Sequence, residues 1–148
     1  MKRVLVVGGA LLLGIGAVWA QQDSVKQVQT LMKANGKNAG ALSAMVKGEK
    51  PYDQATVDAA LAQFTDTARQ LPGLFPDSAK GEKPGGDYSA SPKIWEDRAG
   101  FEAKIASFAK TVGEAKGKVK DLDSLKATLP AVGKECGGCH EIFRVKNG

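Results

Sequence analysis

The sequence predicts an all-α protein that folds as an up-down-up-down antiparallel four-helix bundle. Four segments carry apolar residues at intervals of three and four, the spacing that places them on one face of a helix. No segment alternates apolar and polar residues with the period of two expected of a half-buried strand. The connections between the first and second helices and between the third and fourth are short, which favours antiparallel neighbours.

The first helix is predicted to begin near Asp23 or Ser24, either of which can cap it, and to end at Lys47-Gly48, ahead of Pro51. A stripe of inward residues this long predicts a long helix that lies against the others. The stripe consists of Val25, Val28, Leu31, Met32, Asn35, Ala39, Leu42 and Val46.

The second helix is predicted to begin at Asp53 and to end before Pro72. Its inward residues are Val57, Ala60, Leu61, Phe64, Ala68 and Leu71. Residues 72–91 are rich in proline and glycine and should form a long irregular connection. A connection of this length in a compact domain is usually functional.

The third helix is predicted to open at Ser91-Pro92, a capping residue followed by proline in the first turn, and to fray over residues 113–117. Its inward residues are Ile94, Trp95, Phe101, Ile105, Phe108 and Val112. Asp121 or Asp123 should cap the fourth helix, and Pro130 should kink or break it. The fourth helix carries Leu125, Leu129, Val132, Cys136, Cys139, His140 and Phe143.

The pentapeptide Cys136-Gly137-Gly138-Cys139-His140 contains both cysteines and the one histidine of the chain. Cys-x-x-Cys-His is the attachment signature of c-type haem, in which the thiols form thioethers and the histidine binds the iron. The alternatives are a structural disulfide, a thioredoxin-type redox pair, which calls for a βαβ context, and zinc, which needs a fourth ligand. The motif therefore predicts one haem c, held by Cys136 and Cys139, with His140 as the proximal iron ligand.

The first 20 residues have the features of a secretory signal peptide. Lys2-Arg3 precede an uncharged run that extends to Val18, and Ala20 stands at the expected cleavage position. Cleavage there would leave residues 21–148 as one domain. An uncleaved membrane anchor is the alternative, although the run is short and rich in glycine for a span. Haem attachment to this motif takes place outside the bacterial cytoplasm, so the leader and the motif both indicate the periplasm.

A second iron ligand could be Met32, Met45, a lysine such as Lys33, or no protein group at all. At a rise of ~1.5 Å per residue, Met32 lies ~12 Å from the start of the first helix and His140 ~9 Å from the end of the fourth. Those two helix ends share one end of the bundle. Met45 would lie roughly 20 Å further along, and Lys33 would point toward solvent. Methionine at such a position often simply fills a core, but the matched level favours Met32.

The chain resembles the class II c-type cytochromes, which include cytochrome c′ and its low-spin relatives of the cytochrome c-556 type. The resemblance spans residues 21–148 and rests on the Cys-Gly-Gly-Cys-His motif with Phe143-Arg144 after it, on residues 46–53 (Val-Lys-Gly-Glu-Lys-Pro-Tyr-Asp), and on Pro92-Lys93-Ile94-Trp95. It implies that Met32 occupies the family's distal position, where low-spin members carry methionine and high-spin cytochromes c′ carry an apolar residue. An arginine usual in cytochrome c′ is replaced here by Val28.

Three further side chains are predicted to contact the haem. Arg144 follows His140 by four residues, so the two should share a helical face, and Arg144 could pair with a propionate. A solvated arginine is the alternative. Gln29 precedes Met32 by three residues, and Trp95 belongs to the same end of the bundle, where it suits the core equally well.

These expectations describe a periplasmic electron carrier with a six-coordinate, low-spin iron, and not an enzyme. The alternative is a five-coordinate cytochrome c′ that binds nitric oxide or carbon monoxide. A haem peroxidase would need a distal acid or base, and the chain has no second histidine to supply it.

The formal net charge of +5 is scattered along the chain and forms no basic stripe of the kind that binds nucleic acid. It would favour docking to an acidic redox partner, and an ordinary solvated surface is the equally good alternative. No stable membrane association is expected once the leader is removed. A homodimer through helix one is compatible with the small residues Ala34, Ala41 and Ala44.

Overall fold

The computed structural model describes residues 15–82 and 85–147. Two 3-10 turns, Leu71–Gly73 and Asp77–Ala79, lie in the long connection. The strands are β1 (Tyr88–Ala90) and β2 (Arg144–Lys146). The helices are α1 (Ile15–Val46), α2 (Gln54–Gln70), α3 (Lys93–Glu96), α4 (Arg98–Lys118) and α5 (Leu122–Phe143).

The four long helices form an antiparallel bundle, which confirms the predicted fold class. Helix α1 packs against α2 and α5, and α4 packs against the same two helices. The short connections after α1 and after α4 therefore lie at one end of the bundle. The start of α1, the connection 71–92 and the end of α5 share the other end, which we call the loop end.

Apolar side chains fill the bundle between the helices, and fully burying each large one contributes about 1.5–3 kcal/mol. The largest with almost no exposed surface are Phe64, Leu42, Ile94, Leu125, Val57, Val112 and Val119. Within the described part of the chain, no buried side-chain nitrogen or oxygen lacks a hydrogen-bond partner. This packed core gives the loop end a rigid support.

Side-chain caps start two helices where the sequence predicts them. Asp53 accepts a hydrogen bond from the Thr56 N–H at 2.9 Å at the start of α2. Asp121 accepts one from the Ser124 N–H at 2.8 Å, and the Ser124 hydroxyl oxygen accepts one from the Asp121 N–H at 3.1 Å. The second pair is a reciprocal capping box that satisfies two otherwise free N–H groups at the start of α5.

One predicted helix start is wrong, and one predicted helix is divided in two. Helix α1 does not start near Asp23, since it is already formed at Ile15, the first described residue, and no proline or glycine between residues 17 and 35 interrupts it. The third predicted helix is two helices, since Asp97 leaves the helical conformation at φ −126° and ψ 64°. Its side chain accepts a hydrogen bond from the Gly100 N–H at 2.9 Å and so starts α4.

Two predicted interruptions do not occur. Helix α4 continues through residues 113–117 to Lys118, where the buried Ala115 fixes its last turns against the core. Helix α5 runs without a break through Pro130. The proline leaves unpaired the carbonyl of Lys126, four residues earlier. Both residues are exposed, so water can satisfy that group.

A two-stranded antiparallel ribbon, absent from the sequence prediction, joins the long connection to the end of α5. It pairs Tyr88 with Lys146, Ser89 with Val145, and Ala90 with Arg144. The Ser91 N–H also donates to the Phe143 carbonyl at 3.0 Å. Three residues per strand are too few to show an alternating pattern in the sequence.

The predicted leader falls largely outside the described residues, which exclude residues 1–14. Residues 15–20 are helical and belong to α1. Between residues 15 and 147, apart from 83 and 84, no helix combines the length and apolar character needed to cross a membrane.

Candidate functional site

A cavity of about 470 Å³ lies at the loop end of the bundle. Its volume falls within the range of about 300–1,000 Å³ that is usual for cofactor pockets. Its walls come from the five helices, the long connection and β2, and they are mainly apolar. Every site residue predicted from the sequence lines it: Met32, Gln29, Trp95, Cys136, Cys139, His140 and Arg144.

The two cysteines and the histidine share one face of α5. Positions separated by three and four residues are neighbours on a helix surface, which brings Cys139 and His140 beside Cys136. Both cysteines are half-buried and neither forms a disulfide. Burial raises the pKa of the Cys136 and Cys139 thiols, so both are protonated at neutral pH. Two free S–H groups and one imidazole therefore face a single apolar cavity.

His140 is held in its neutral form. Burial lowers the pKa of its imidazole, and the positive charge of Arg144 lowers it further. A neutral imidazole has a nitrogen lone pair available for a metal ion, whereas an imidazolium has none. The last turn of α5 thus presents a histidine that is ready to act as a ligand.

The α1 wall of the cavity is a stripe in which Met32 holds the central position. Met45 is 3% exposed, packs in the core and does not line the cavity. Lys33 is exposed and also lies outside the wall. The stripe consists of Val25, Val28, Gln29, Met32, Asn35, Gly36 and Ala39.

The three remaining predicted contacts are each anchored by a neighbour. The Gln29 amide donates to the Gly85 carbonyl at 3.3 Å, and the Trp95 indole N–H donates to the Pro76 carbonyl at 3.1 Å. Arg144 is not on the face of α5 predicted for it, because the helix ends at Phe143 and Arg144 begins β2. Its guanidinium lies 4.1 Å from the centre of the Tyr88 ring, a cation–π contact.

Several lining residues escaped the sequence analysis. Lys104 lines the cavity from α4. It also lies close to the Cys-x-x-Cys-His motif, because the Lys104 Nζ is 3.7 Å from the position that the Cβ of a larger residue at Gly138 would occupy. Lys104 is three or four residues from Phe101 and Phe108 and next to Ile105. This spacing is typical of one helix face, so it could have predicted that Lys104 points inward. Thr67 occupies an inward position of α2 in the same way, between Phe64 and Leu71. Glu135 and Tyr88 carried no such signal.

Arg98 fastens the long connection to α4 at the edge of the cavity. Its guanidinium donates to the Phe75 carbonyl at 3.0 Å and to the Pro72 carbonyl at 2.6 Å. Phe75 lines the cavity and meets the rings of Trp95 and Phe101 edge to face, with centroids 6.3 and 5.1 Å apart. These two hydrogen bonds, which we call the Arg98 clamp, therefore hold one aromatic wall of the cavity in place.

Replacement of Arg98 by Met should lower the free energy of unfolding of the haem-loaded protein by about 2 kcal/mol, because two charge-assisted hydrogen bonds are lost at a partly exposed site. Denaturant unfolding measures the change. Arg69→Met is the matched control, since Arg69 is 78% exposed and its ion pair is with Asp66, one turn away on the same helix. The free energy of unfolding of Arg69→Met should be close to that of the wild type. Equal losses of stability in the two variants would show that the Arg98 clamp does not stabilise the protein.

The donor set fits a covalently bound haem. Two unpaired thiols three residues apart, a neutral histidine directly after the second, and a methionine on the α1 wall all reach one apolar cavity. Across residues 15–82 and 85–147, no group of three or more His, Cys, Asp or Glu side chains could hold a metal ion without a porphyrin. The zinc alternative therefore has no complete ligand set among those residues.

Comparison with known proteins identifies close relatives. The family model described as Cytochrome C' matches residues 23–144. The chain is 60% identical to cytochrome c-556 of Rhodopseudomonas palustris over 149 residues, with the whole of both chains covered. An NMR-validated structural model for oxidized cytochrome c556 of that organism superposes with a TM-score of 0.76 at 61% identity, covering 86% of this chain and 99% of the other. The structure of its cytochrome c′ gives 0.77 at 40% identity, covering 85% and 98%.

Proposed function

The chain belongs to the cytochrome c′ family, and we propose that it is a periplasmic electron carrier whose haem iron is bound axially by His140 and Met32. Its cofactor is haem c. The proposal is carried by one observation: Met32 lies at the centre of the α1 wall of the cavity that His140 lines. Met45 lies in the core and Lys33 is exposed, so neither competes with Met32 for this position.

Haem c supplies an iron atom that takes up and releases one electron. Cys136 and Cys139 would hold the porphyrin through thioethers, and His140 and Met32 would bind its iron. Two strong ligands, His140 and Met32, would keep the iron low-spin in both oxidation states, so little would have to move during electron transfer. Histidine and methionine together also favour the reduced state and raise the potential. The apolar walls exclude water and keep the surroundings of the iron constant.

The remaining lining residues would orient the porphyrin. Arg144 carries a positive charge at the cavity edge, where it suits a propionate group, and the Tyr88 ring fixes its position. Gln29 and Trp95 are held by backbone carbonyls and would contact the macrocycle with limited freedom. These contacts restrict the haem to one orientation in the cavity.

Export through the leader at residues 1–20 would bring the chain to the compartment in which this motif receives haem. Its partners would be redox proteins with acidic docking surfaces, attracted by the modest positive charge. Ala34, Ala41 and Ala44 are partly exposed on α1, so a second copy could pack there as a homodimer.

An absorption spectrum of the purified oxidised protein tests the proposal. Ligation by Met32 should give a low-spin spectrum with a weak sulfur-to-iron charge-transfer band near the red edge of the visible range. A high-spin spectrum without this band would contradict it. The protein would then be a five-coordinate cytochrome c′ that binds nitric oxide or carbon monoxide.

A further inference from the structure

The α1 wall contains a polar side chain that the proposed function leaves unused. Asn35 lines the cavity one turn after Met32, between apolar and small residues. Its Oδ1 accepts a hydrogen bond from the Thr67 hydroxyl at 2.9 Å. Thr67 has no exposed surface and is one of two buried polar residues in the described part of the chain. A buried hydroxyl such as that of Thr67 is costly unless it is bonded, and the partly buried Asn35 that bonds it faces the cavity.

The hydrogen bonds run in one direction and fix the orientation of the Asn35 amide. The Gln63 side-chain N–H donates to the Thr67 hydroxyl oxygen at 3.2 Å, and the Thr67 hydroxyl donates in turn to the Asn35 carbonyl oxygen. With its oxygen turned toward Thr67, Asn35 retains two N–H donors. These donors have no hydrogen-bond partner among residues 15–82 and 85–147, and the amide nitrogen is not fully buried, since no fully buried side-chain nitrogen in those residues is left unbonded.

Helix geometry places the Asn35 side chain beside that of Met32. Side chains three residues apart are neighbours on a helix surface, with Cβ atoms about 5–6 Å apart. The Cα–Cβ bonds of a helix also tilt toward its N-terminus, so Asn35 leans toward the turn that carries Met32. The other amide on this wall, that of Gln29, already donates to the Gly85 carbonyl.

We propose that Asn35 is a positioning residue that donates a hydrogen bond to the Met32 thioether and holds the sulfur on the haem iron, with Thr67 and Gln63 setting its orientation. This inference rests on the proposed function, since it requires Met32 to be an iron ligand. A thioether sulfur is a weak hydrogen-bond acceptor. The hydrogen bond from Asn35 should therefore contribute a free energy near the low end of the range that is usual for hydrogen bonds in proteins. Its loss should make the sulfur leave the iron about threefold more readily.

The test is the rate at which carbon monoxide binds the reduced haem-loaded protein, because the Met32 sulfur must leave before carbon monoxide can bind. Asn35→Leu removes the donor at similar volume, and Thr67→Val removes the hydroxyl that orients it. Both should raise the rate about threefold and shift the sulfur-to-iron charge-transfer band, while the iron stays six-coordinate. A role confined to packing would not move that band.

Two variants serve as controls. Thr67→Ser keeps the hydroxyl and should keep the wild-type rate and band. Asn38→Leu makes the same exchange as Asn35→Leu on the same helix, but Asn38 donates to the Ala34 carbonyl at 2.9 Å and does not line the cavity. It too should behave as wild type. If Asn35→Leu yields no haem protein, the comparison of Thr67→Val with Thr67→Ser decides the question.

The outcomes separate this inference from the proposed function. A wild-type protein with the sulfur band, together with Asn35→Leu and Thr67→Val variants at the wild-type rate and band position, would overturn the role of Asn35 alone. A high-spin wild-type protein would overturn both, because there would be no iron-bound sulfur to hold.

Discussion

Replacing Cys136 and Cys139 together by serine should yield a protein from which all of the haem is extracted under denaturing conditions. The wild type should retain all of it, because thioether bonds survive unfolding and metal–ligand bonds do not. Each single variant should keep its haem through one remaining thioether. The chain has no third cysteine that could replace either one. Denaturing electrophoresis followed by haem staining measures the retained fraction.

The double variant should also be less stable than the wild type. Haem that is not covalently attached can leave the cavity of about 470 Å³, whose walls are mainly apolar, and the empty apolar space that remains between packed helices is destabilising. His140→Ala is the complementary variant, because it keeps both thiols and removes the proximal ligand. It should retain covalent haem in whatever protein accumulates, but with an altered spectrum. Haem that stays with the double cysteine variant through denaturation would show that the attachment is not through these thiols.

The sequence predicts the long helices well because each one has a continuous inward stripe, and it predicts α2 and α5 best because Asp53 and Asp121 cap them. It fails where the outcome depends on tertiary surroundings. Pro130 is tolerated because Lys126, whose carbonyl it leaves unpaired, is an exposed residue, and that exposure depends on how α5 packs. The ribbon of β1 and β2 joins segments more than 50 residues apart, and each strand is too short for a local signal.

The candidate site likewise contains residues that could be predicted from the sequence and residues that only the packing reveals. Cys136, Cys139 and His140 could be proposed as haem-binding residues because their spacing is itself the chemical requirement for haem attachment. The position of Met32 on the cavity wall could be predicted from its level in the bundle, since antiparallel helices relate distance along one helix to distance along another. Thr67 and Asn35 each look like a polar interruption of an apolar stripe. Only the packing of α1 on α2 shows that they are bonded to each other beside the cavity.

Met32→Leu should convert a low-spin protein into a high-spin, five-coordinate one. Leucine has nearly the volume of methionine and suits a helix, and such apolar exchanges usually cost less than about 1.5 kcal/mol. The bundle should therefore stay folded while the iron loses its sulfur ligand. Carbon monoxide should bind the reduced variant at least about tenfold faster than the wild type, provided that displacing the sulfur costs more than about 1.4 kcal/mol.

Met45→Leu is the matched control, because it makes the same exchange on the same helix at a residue that is 3% exposed in the core and does not line the cavity. Its spectrum and its rate of carbon monoxide binding should equal those of the wild type. Absorption spectra of the oxidised and reduced proteins, with stopped-flow mixing for the rate, provide both measurements. If Met32→Leu remains low-spin, another group must bind the iron, and the assignment of Met32 would be wrong. If Met45→Leu alone lost the sulfur band, the ligand would have to come from the core, which would require α1 to lie differently against α5.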